Sequence, residues 1–327
     1  MSDVNITYVF VADWPAYLRI VVAGRVQRDY FFFSKLITDR LTANGVRELP
    51  DFSIFTPESL DEVLDLLARG GMTLLAGGTD LIPMMKRGKA SPVYVVDLSG
   101  VSSLRYIRRE KGYFLIGGRA TVKDLVECGL FDERYGAIKL LGRYFGVEPT
   151  RVMATVGGNL ASGGERDLPQ ILEVLGARVK LVRKEGSRVA GPLGLQLAGD
   201  EIISEIVFPE LGVRTYTWFS KFEKRAANGI GVVTAAVYLK LGEDGSVDDV
   251  RLTLNRVRGR TPGRLYKTEK ALRDGRLDDD TLSHVMEVLD DEISPASDFR
   301  ASASFRKHIS KVLVVRSLME CARRIMA

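Results

Sequence analysis

Two glycine pairs in matching surroundings constrain this chain more than any other feature. "LLAGGTDL" (74–81) and "ATVGGNLA" (154–161) each set Gly-Gly beside a hydroxyl and a carboxylate or amide, next to an apolar run read as a strand. Glycine has no Cβ, so its backbone can take positive φ and approach a neighbour or ligand closely. Successive N–H groups in such a turn form a concavity that suits an anion. One pair alone is better explained as a tight strand-to-helix turn with no ligand. Two pairs could cradle two neighbouring phosphates with backbone N–H groups and short polar side chains. No G-x-G-x-x-G follows a strand, which disfavours a Rossmann site, and no G-x-x-x-x-G-K-[ST] occurs. The residues point to a pyrophosphate-bearing cofactor on a non-Rossmann fold, with purely structural turns as the alternative.

The scarcity of metal ligands narrows the chemistry. Cys128 and Cys321 lie far apart with no C-x-x-C spacing, so this chain alone cannot ligate an iron–sulfur cluster, and a disulfide framework is disfavoured. His284 and His308 both fall in helical patterns near the C-terminus, leaving little for a metal site or a Ser-His-Asp site. Redox or group chemistry must therefore come from a bound organic cofactor. Few cysteines suit a cytoplasmic protein. With 327 residues, 46% hydrophobic and 27% charged, the chain can bury a sizeable core in two or three domains. No apolar run reaches the ~18 residues of a membrane span. The net charge of +5 is mild. The densest basic stretches, RKEGSR (183–188) and RVRGR (256–260), read as solvated turns or strand ends and not as a nucleic-acid patch. An acidic partner surface stays open.

Residues 1–48 are aromatic-rich, carry charges throughout and show no clean period; Arg19, Arg25 and Arg28 break up any signal-peptide core. Residues 1–45 are expected outside the folded core, with Val46 as a possible true start. Regular structure begins near Pro50. Thr56-Pro57 is expected to cap a helix carrying Leu60, Val63, Leu64 and Leu67, ended by Gly70-Gly71. Strands are expected at 72–76, 92–98, 104–109 and 113–118, with Lys111-Gly112 as a turn. Thr121 with Asp124 offers a capping box for a helix to about Leu130, and a further helix covers 137–145. After the second glycine turn come a loop, a Pro-started helix and a strand. Strands dominate 201–257, with Glu243-Asp244-Gly245-Ser246 as a hairpin turn, and helices follow from Thr261, the last over 302–326. The order predicts an α+β architecture with a boundary near 210–215.

From about Asp51 onward the chain resembles the FAD-binding medium subunit of the molybdenum hydroxylases: xanthine dehydrogenase, carbon monoxide dehydrogenase and aldehyde oxidoreductase. The resemblance rests on "FTPESLDEVLDLL", "LLAGGTDLIPMMKRG", "VVDLSGVSSLRYI", "ATVGGNLASGGERDLPQILEVLGA" and "DFRASASFRKHISKVLVVRSL". It implies an α+β fold: a two-part non-Rossmann FAD-binding domain of the vanillyl-alcohol-oxidase type (49–212), then a smaller domain of a sheet and helices like the carbon monoxide dehydrogenase flavoprotein C-terminal domain (213–327), after an atypical extension (1–48). It implies FAD as cofactor, with the pyrophosphate against Leu74, Leu75, Ala76, Gly77, Gly78, Thr79, Asp80 and Leu81. Thr155, Val156, Gly157, Gly158 and Asn159 would form the second phosphate and ribityl loop. Asp167 would contact the adenosine end, and Phe145, Ile202 and Lys221 would line the flavin, with Lys221 able to hold charge on the reduced ring.

Two departures from the family pattern stand out. "ASGGERDLP" is one residue shorter than usual, and "KRAANGIGVVTAA" lacks an aromatic or acidic residue near Gly231, which leaves the ring-facing end more open. The resemblance further implies an iron–sulfur small subunit and a molybdopterin-binding large subunit as partners, with electrons passing through the clusters to this flavin. No catalytic or metal-ligating residue is assigned to this chain. The rivals are a self-sufficient FAD-dependent oxidase or reductase, which would need its own substrate base, and a flavin-free assembly subunit.

Overall fold

Ser59, not Thr56, starts the first helix. Its Oγ accepts from Glu62 N at 3.2 Å, while Glu62 Oε2 accepts from Glu58 N at 3.0 Å, so Ser59 and Glu62 satisfy the end and α1 runs Leu60–Leu67. The computed structural model describes residues 49–225, 229–257 and 263–327. The expectation for residues 1–48 lies outside the described residues, as does part of each of the stretches 224–236 and 256–260.

Helix α1 lies on a three-stranded parallel sheet of β1 (Ser53–Phe55), β2 (Met72–Leu75) and β3 (Tyr94–Asp97), in the order β1-β3-β2. Val63 and Leu67 of α1 are buried with Val96, Leu98, Val101 and Leu104. Helix α2 (Leu81–Lys86) follows β2 directly across the first glycine pair.

A five-stranded antiparallel sheet comes next: β4 (Ile107–Glu110), β5 (Tyr113–Gly117), β6 (Arg178–Arg183), β7 (Gly186–Ala190) and β8 (Ile202–Pro209), in the order β4-β5-β8-β6-β7. Lys111 and Gly112 both take positive φ, 50° and 81°, and make the β4–β5 hairpin turn. Between β5 and β6 run α3 (Val122–Val126), α4 (Gly136–Tyr144), α5 (Glu148–Met153), α6 (Val156–Ala161) and α7 (Asp167–Val174). Thr121 and Asp124 form the expected capping box, but α3 ends at Val126, four residues before Leu130. Phe114, Phe131, Tyr135 and Phe208 pack ring against ring, with centroids 4.8–6.4 Å apart, at the centre of this core.

The chain enters the last sheet between Pro209 and Thr215. Strands β9 (Thr215–Glu223), β10 (Gly231–Leu241), β11 (Val247–Asn255) and β12 (Gly263–Arg264) pair antiparallel in the order β12-β11-β10-β9. Helices α8 (Tyr266–Leu272), α9 (Asp279–Glu292) and α10 (Ala303–Met326) follow. Val314, Leu318 and Cys321 of α10 cover one face of this sheet. Phe219, Ala236 and Tyr238 on the other face join the core of the five-stranded sheet. Burial on both faces explains why β10 reads as one apolar run. The architecture is α+β, and among the described residues no helix is long and apolar enough to cross a membrane.

The residues before the second glycine pair correct the sequence reading. They are not a strand: α5 ends at Met153, and Thr155 makes only an isolated bridge to Thr121. Gly157 and Gly158 lie inside α6 and do not form a turn.

Candidate cofactor site

The first glycine loop fills the gap between β2 and α2. Gly77 packs so closely on the α5–α6 connection that a Cβ there would overlap the carbonyl oxygen of Met153. Gly78 takes φ +67°, and Asp80 returns to φ −110°, ψ −49° to begin α2. Among the described residues, the N–H groups of Gly77, Gly78, Thr79 and Asp80 donate to no protein acceptor. Four successive free donors lining a concave turn make an anion site.

The second loop is built differently. Its amides are already committed: Val156 N donates to Ala120 O at 2.8 Å, Gly157 N to Gly118 O at 2.9 Å and Gly158 N to Thr155 Oγ1 at 3.0 Å. The expectation that both turns present free N–H groups therefore fails at the second, because α6 docks on the backbone of Gly118 to Thr121. A Cβ on Gly157 would stand 2.6 Å from Gly118 O. What α6 offers is Asn159, almost fully buried, whose Oδ1 has no hydrogen-bond partner. A buried acceptor left open in a cleft wall marks a place for a donor from a ligand.

The two loops and Gly118, the second residue of a third glycine pair, close around one cleft of about 260 Å³. Of the residues expected at a cofactor, Leu74, Ala76, Gly77, Gly78, Thr79, Asp80, Leu81, Thr155, Gly157, Gly158, Asn159 and Ile202 line it. Leu74, Leu98, Leu104 and Ile202 belong to one apolar cluster and form an apolar wall. The polar wall is cross-linked: Asp80 Oδ1 accepts from Arg166 Nη2 at 2.8 Å and Asp80 Oδ2 from Ser162 Oγ at 2.8 Å.

Five expected residues do not line the cleft. Leu75 ends β2, and Val156, the first residue of α6, is fully buried. Phe145, the residue after α4, packs against the core of the five-stranded sheet, and Asp167 and Lys221 meet at a separate seam between α4, α7 and β9. There Lys221 Nζ, almost wholly buried, donates to Asp167 Oδ2 at 3.1 Å and Tyr144 O at 3.2 Å, and stands 3.5 Å from Glu223 Oε2. A lysine desolvated this far needs such partners. Ile202 is thus parted from Phe145 and Lys221, with which it had been grouped, because β8 carries it to the edge of the first sheet's core.

Sequence reasoning missed Arg119, Ser162 and Arg166, all in the cleft. "IGGRAT" (116–121) held the signal: a third glycine pair followed by a cation and a hydroxyl, set beside a strand. Arg119 Nη1 donates to Val101 O at 2.7 Å, and burial, followed by repulsion from Arg105, pulls its pKa below the usual guanidinium value.

A cofactor with a diphosphate and flat rings fits these groups: free N–H donors for the anion, an open amide oxygen and an apolar wall. The comparisons with known proteins agree. The family described as FAD binding domain in molybdopterin dehydrogenase matches residues 50–211, and CO dehydrogenase flavoprotein C-terminal domain matches 218–321. Fold and site therefore define a flavoprotein with this pair of domains. The glyceraldehyde dehydrogenase medium chain of Sulfolobus acidocaldarius is 29% identical over 284 residues, 84% of this chain and 99% of its own. The carbon monoxide dehydrogenase medium chain of Afipia carboxidovorans is 27% identical, covering 82% and 95%. The solved carbon monoxide dehydrogenase from Oligotropha carboxidovorans superposes with a TM-score of 0.79 at 26% identity, covering 85% of this chain and all of that one. The chain belongs to the FAD-binding medium subunits of the molybdenum hydroxylases, the family of the carbon monoxide and xanthine dehydrogenases. Its cofactor is FAD, and it is an oxidoreductase subunit.

Proposed function

We propose that this chain is the electron-transfer subunit of a heteromeric cytoplasmic molybdenum hydroxylase. A large partner subunit with a molybdopterin centre oxidises the substrate, and a small iron–sulfur subunit relays electrons to this chain, which delivers them to an external acceptor. The observation that carries the reading is the run of free amides from Gly77 to Asp80 facing the open Asn159 Oδ1 across one cleft. FAD takes up electrons singly and releases them in pairs, which suits a place between one-electron clusters and a two-electron acceptor.

In this reading the Gly77–Asp80 amides hold the diphosphate, Asn159 Oδ1 accepts a hydrogen bond from a hydroxyl of the cofactor, and the wall containing Ile202 packs against one of its ring systems. Thr155 acts through the helix: its side chain fixes the first turn of α6 and so the direction of Asn159. Lys221 and Asp167 join the FAD-binding domain (49–212) to the C-terminal domain (213–327), and Lys221 supplies positive charge there, with Phe145 close by at the end of α4. Two distant cysteines and two histidines offer no ligand set for an iron–sulfur cluster, which supports a partner as the source of electrons.

Reconstitution tests the proposal. The purified chain should carry flavin that dithionite bleaches but that aldehyde and purine substrates leave oxidised. Adding the cluster and molybdenum subunits should bring substrate-driven bleaching. Substrate turnover by the single chain, verified free of iron and molybdenum, would mean a self-sufficient oxidase instead.

A further inference from the structure

Three charged residues line the glycine cleft: Asp80, Arg119 and Arg166. Asp80 and Arg166 cancel one another across 2.8 Å, and Ser162 takes the other oxygen of Asp80. Arg119 is different. Among the described residues no carboxylate stands within ion-pair distance of it, and its one side-chain hydrogen bond goes to the carbonyl of Val101. Its remaining guanidinium N–H groups have no acceptor among the described residues. Asp97 attracts it only from beyond ion-pair distance, and a half-buried cation with so distant a counterion is costly to keep unless something anionic arrives.

Its position says where that anion sits. Arg119 follows Gly118, whose carbonyl accepts from Gly157 N, so it starts beside the second glycine loop. Its side chain then reaches toward Val101, in the segment that leaves β3 just after Asp97, and Asp97 pairs with Leu75 at the foot of the first loop. Arg119 therefore bridges the floor between the two loops.

We propose that Arg119 is the charge partner of the cofactor's diphosphate, and that it makes this cleft select for a phosphorylated adenine nucleotide over the bare nucleoside. The inference rests on the placement of FAD in this cleft. Free amides supply geometry, but as neutral donors they supply only part of the attraction for a dianion, and a guanidinium offers the charge-assisted, paired N–H contacts that phosphate oxygens accept best. With Asp80 already neutralised by Arg166, and Asp97 acting on Arg119 only from outside the cleft lining, the charge that the cleft wall itself presents is that of Arg119.

The experiment uses the full chain, stripped of flavin, with ADP and adenosine as probes and FAD as reference, titrated by calorimetry. Wild type, Arg119→Met and Arg119→Lys are compared. The methionine variant should lose about tenfold or more in affinity for ADP and FAD, the scale of one charge-assisted contact, while adenosine binding holds. The lysine variant should recover most of the ADP affinity, and added salt should weaken ADP binding to wild type more steeply than to the methionine variant. Equal losses for ADP and adenosine in Arg119→Met would show that Arg119 only props up the Val101 segment, and unchanged ADP affinity would remove it from the site. Wild type that binds FAD but has no preference for ADP over adenosine also overturns the proposal, whereas wild type that binds no FAD at all fails the cofactor placement itself.

Discussion

Arg166 Nη2 lies 2.8 Å from Oδ1 of Asp80, a bond that spans 86 residues of sequence and ties the α6–α7 connection to the start of α2. Both side chains are about a third exposed, so the pair adds under about 1 kcal/mol to stability. Its effect on the cofactor should be larger. Arg166→Ala strands a carboxylate beside the diphosphate, so it should weaken FAD binding more than the double variant Asp80→Ala/Arg166→Ala does. Flavin titration of the two single variants and the double variant checks this, and a double variant worse than Arg166→Ala would contradict it.

Gly77 should be the least replaceable residue of the first loop. Even Gly77→Ala drives a Cβ into the Met153 carbonyl, which is backbone and cannot swing aside. Loss of bound flavin and a clear fall in Tm are expected, on the scale of about 1–3 kcal/mol for overpacking a tight contact. Gly129→Ala, where nothing stands within 4 Å of the added carbon, is the control and should keep full flavin content.

The sequence showed the chemistry of the first loop more clearly than that of the second. "AGGTD" works as a turn, and its amides stay free. "TVGGN" looks the same on paper, yet its glycines sit in a helix, against their propensity, because α6 must lie against Gly118 with no Cβ between them. That contact joins residues distant in sequence, so no local pattern reveals it. Strand β9, Thr215–Glu223, falls inside the strand-rich stretch 201–257 that its β-branched and aromatic residues announce, and the hairpin turn around Gly245 was readable too. Ser53–Phe55 and Gly186–Ala190 were not: both are short edge strands with exposed side chains and carry no period to read. Arg119 and Arg166 were legible only as charges after glycines; the cleft that gives them meaning is tertiary.

Lys221→Met should destabilise the seam between β9 and α7. The lysine separates two nearly buried carboxylates, Asp167 and Glu223, and removing it takes away the cation that bridges them. A loss of about 3 kcal/mol in chemical denaturation is expected, as for other buried ion pairs broken on one side. Full stability combined with a shifted flavin reduction potential would assign Lys221 to the cofactor alone.

Acid should act through Glu201 at the start of β8. Its carboxylate accepts from Arg188 Nε and Nη2 and from Ala198 N, and the Arg188 bond is the leading cause that lowers its pKa from 4.5 to about 2. A lowered folded pKa gives stability that is complete above the unfolded value and is lost as pH falls through the folded one. Wild type should therefore exceed Glu201→Gln by about 1–2 kcal/mol at neutral pH, after allowing for the half-exposed Arg188. The gap should close between pH 4.5 and about 2. A gap that persists unchanged at the lower limit would mean the bond contributes through shape and not through charge.

Hydrogen exchange at the two loops tests the central claim most directly. In the flavin-free chain the amides of Gly77, Gly78, Thr79 and Asp80 have no acceptor and should exchange quickly, while those of Val156, Gly157 and Gly158 are already bonded and should exchange slowly. Saturating FAD should slow exchange across Gly77–Asp80 markedly and alter Val156–Gly158 little. Unchanged exchange at Gly77–Asp80 with flavin fully bound would contradict the account, because the diphosphate would then lie elsewhere.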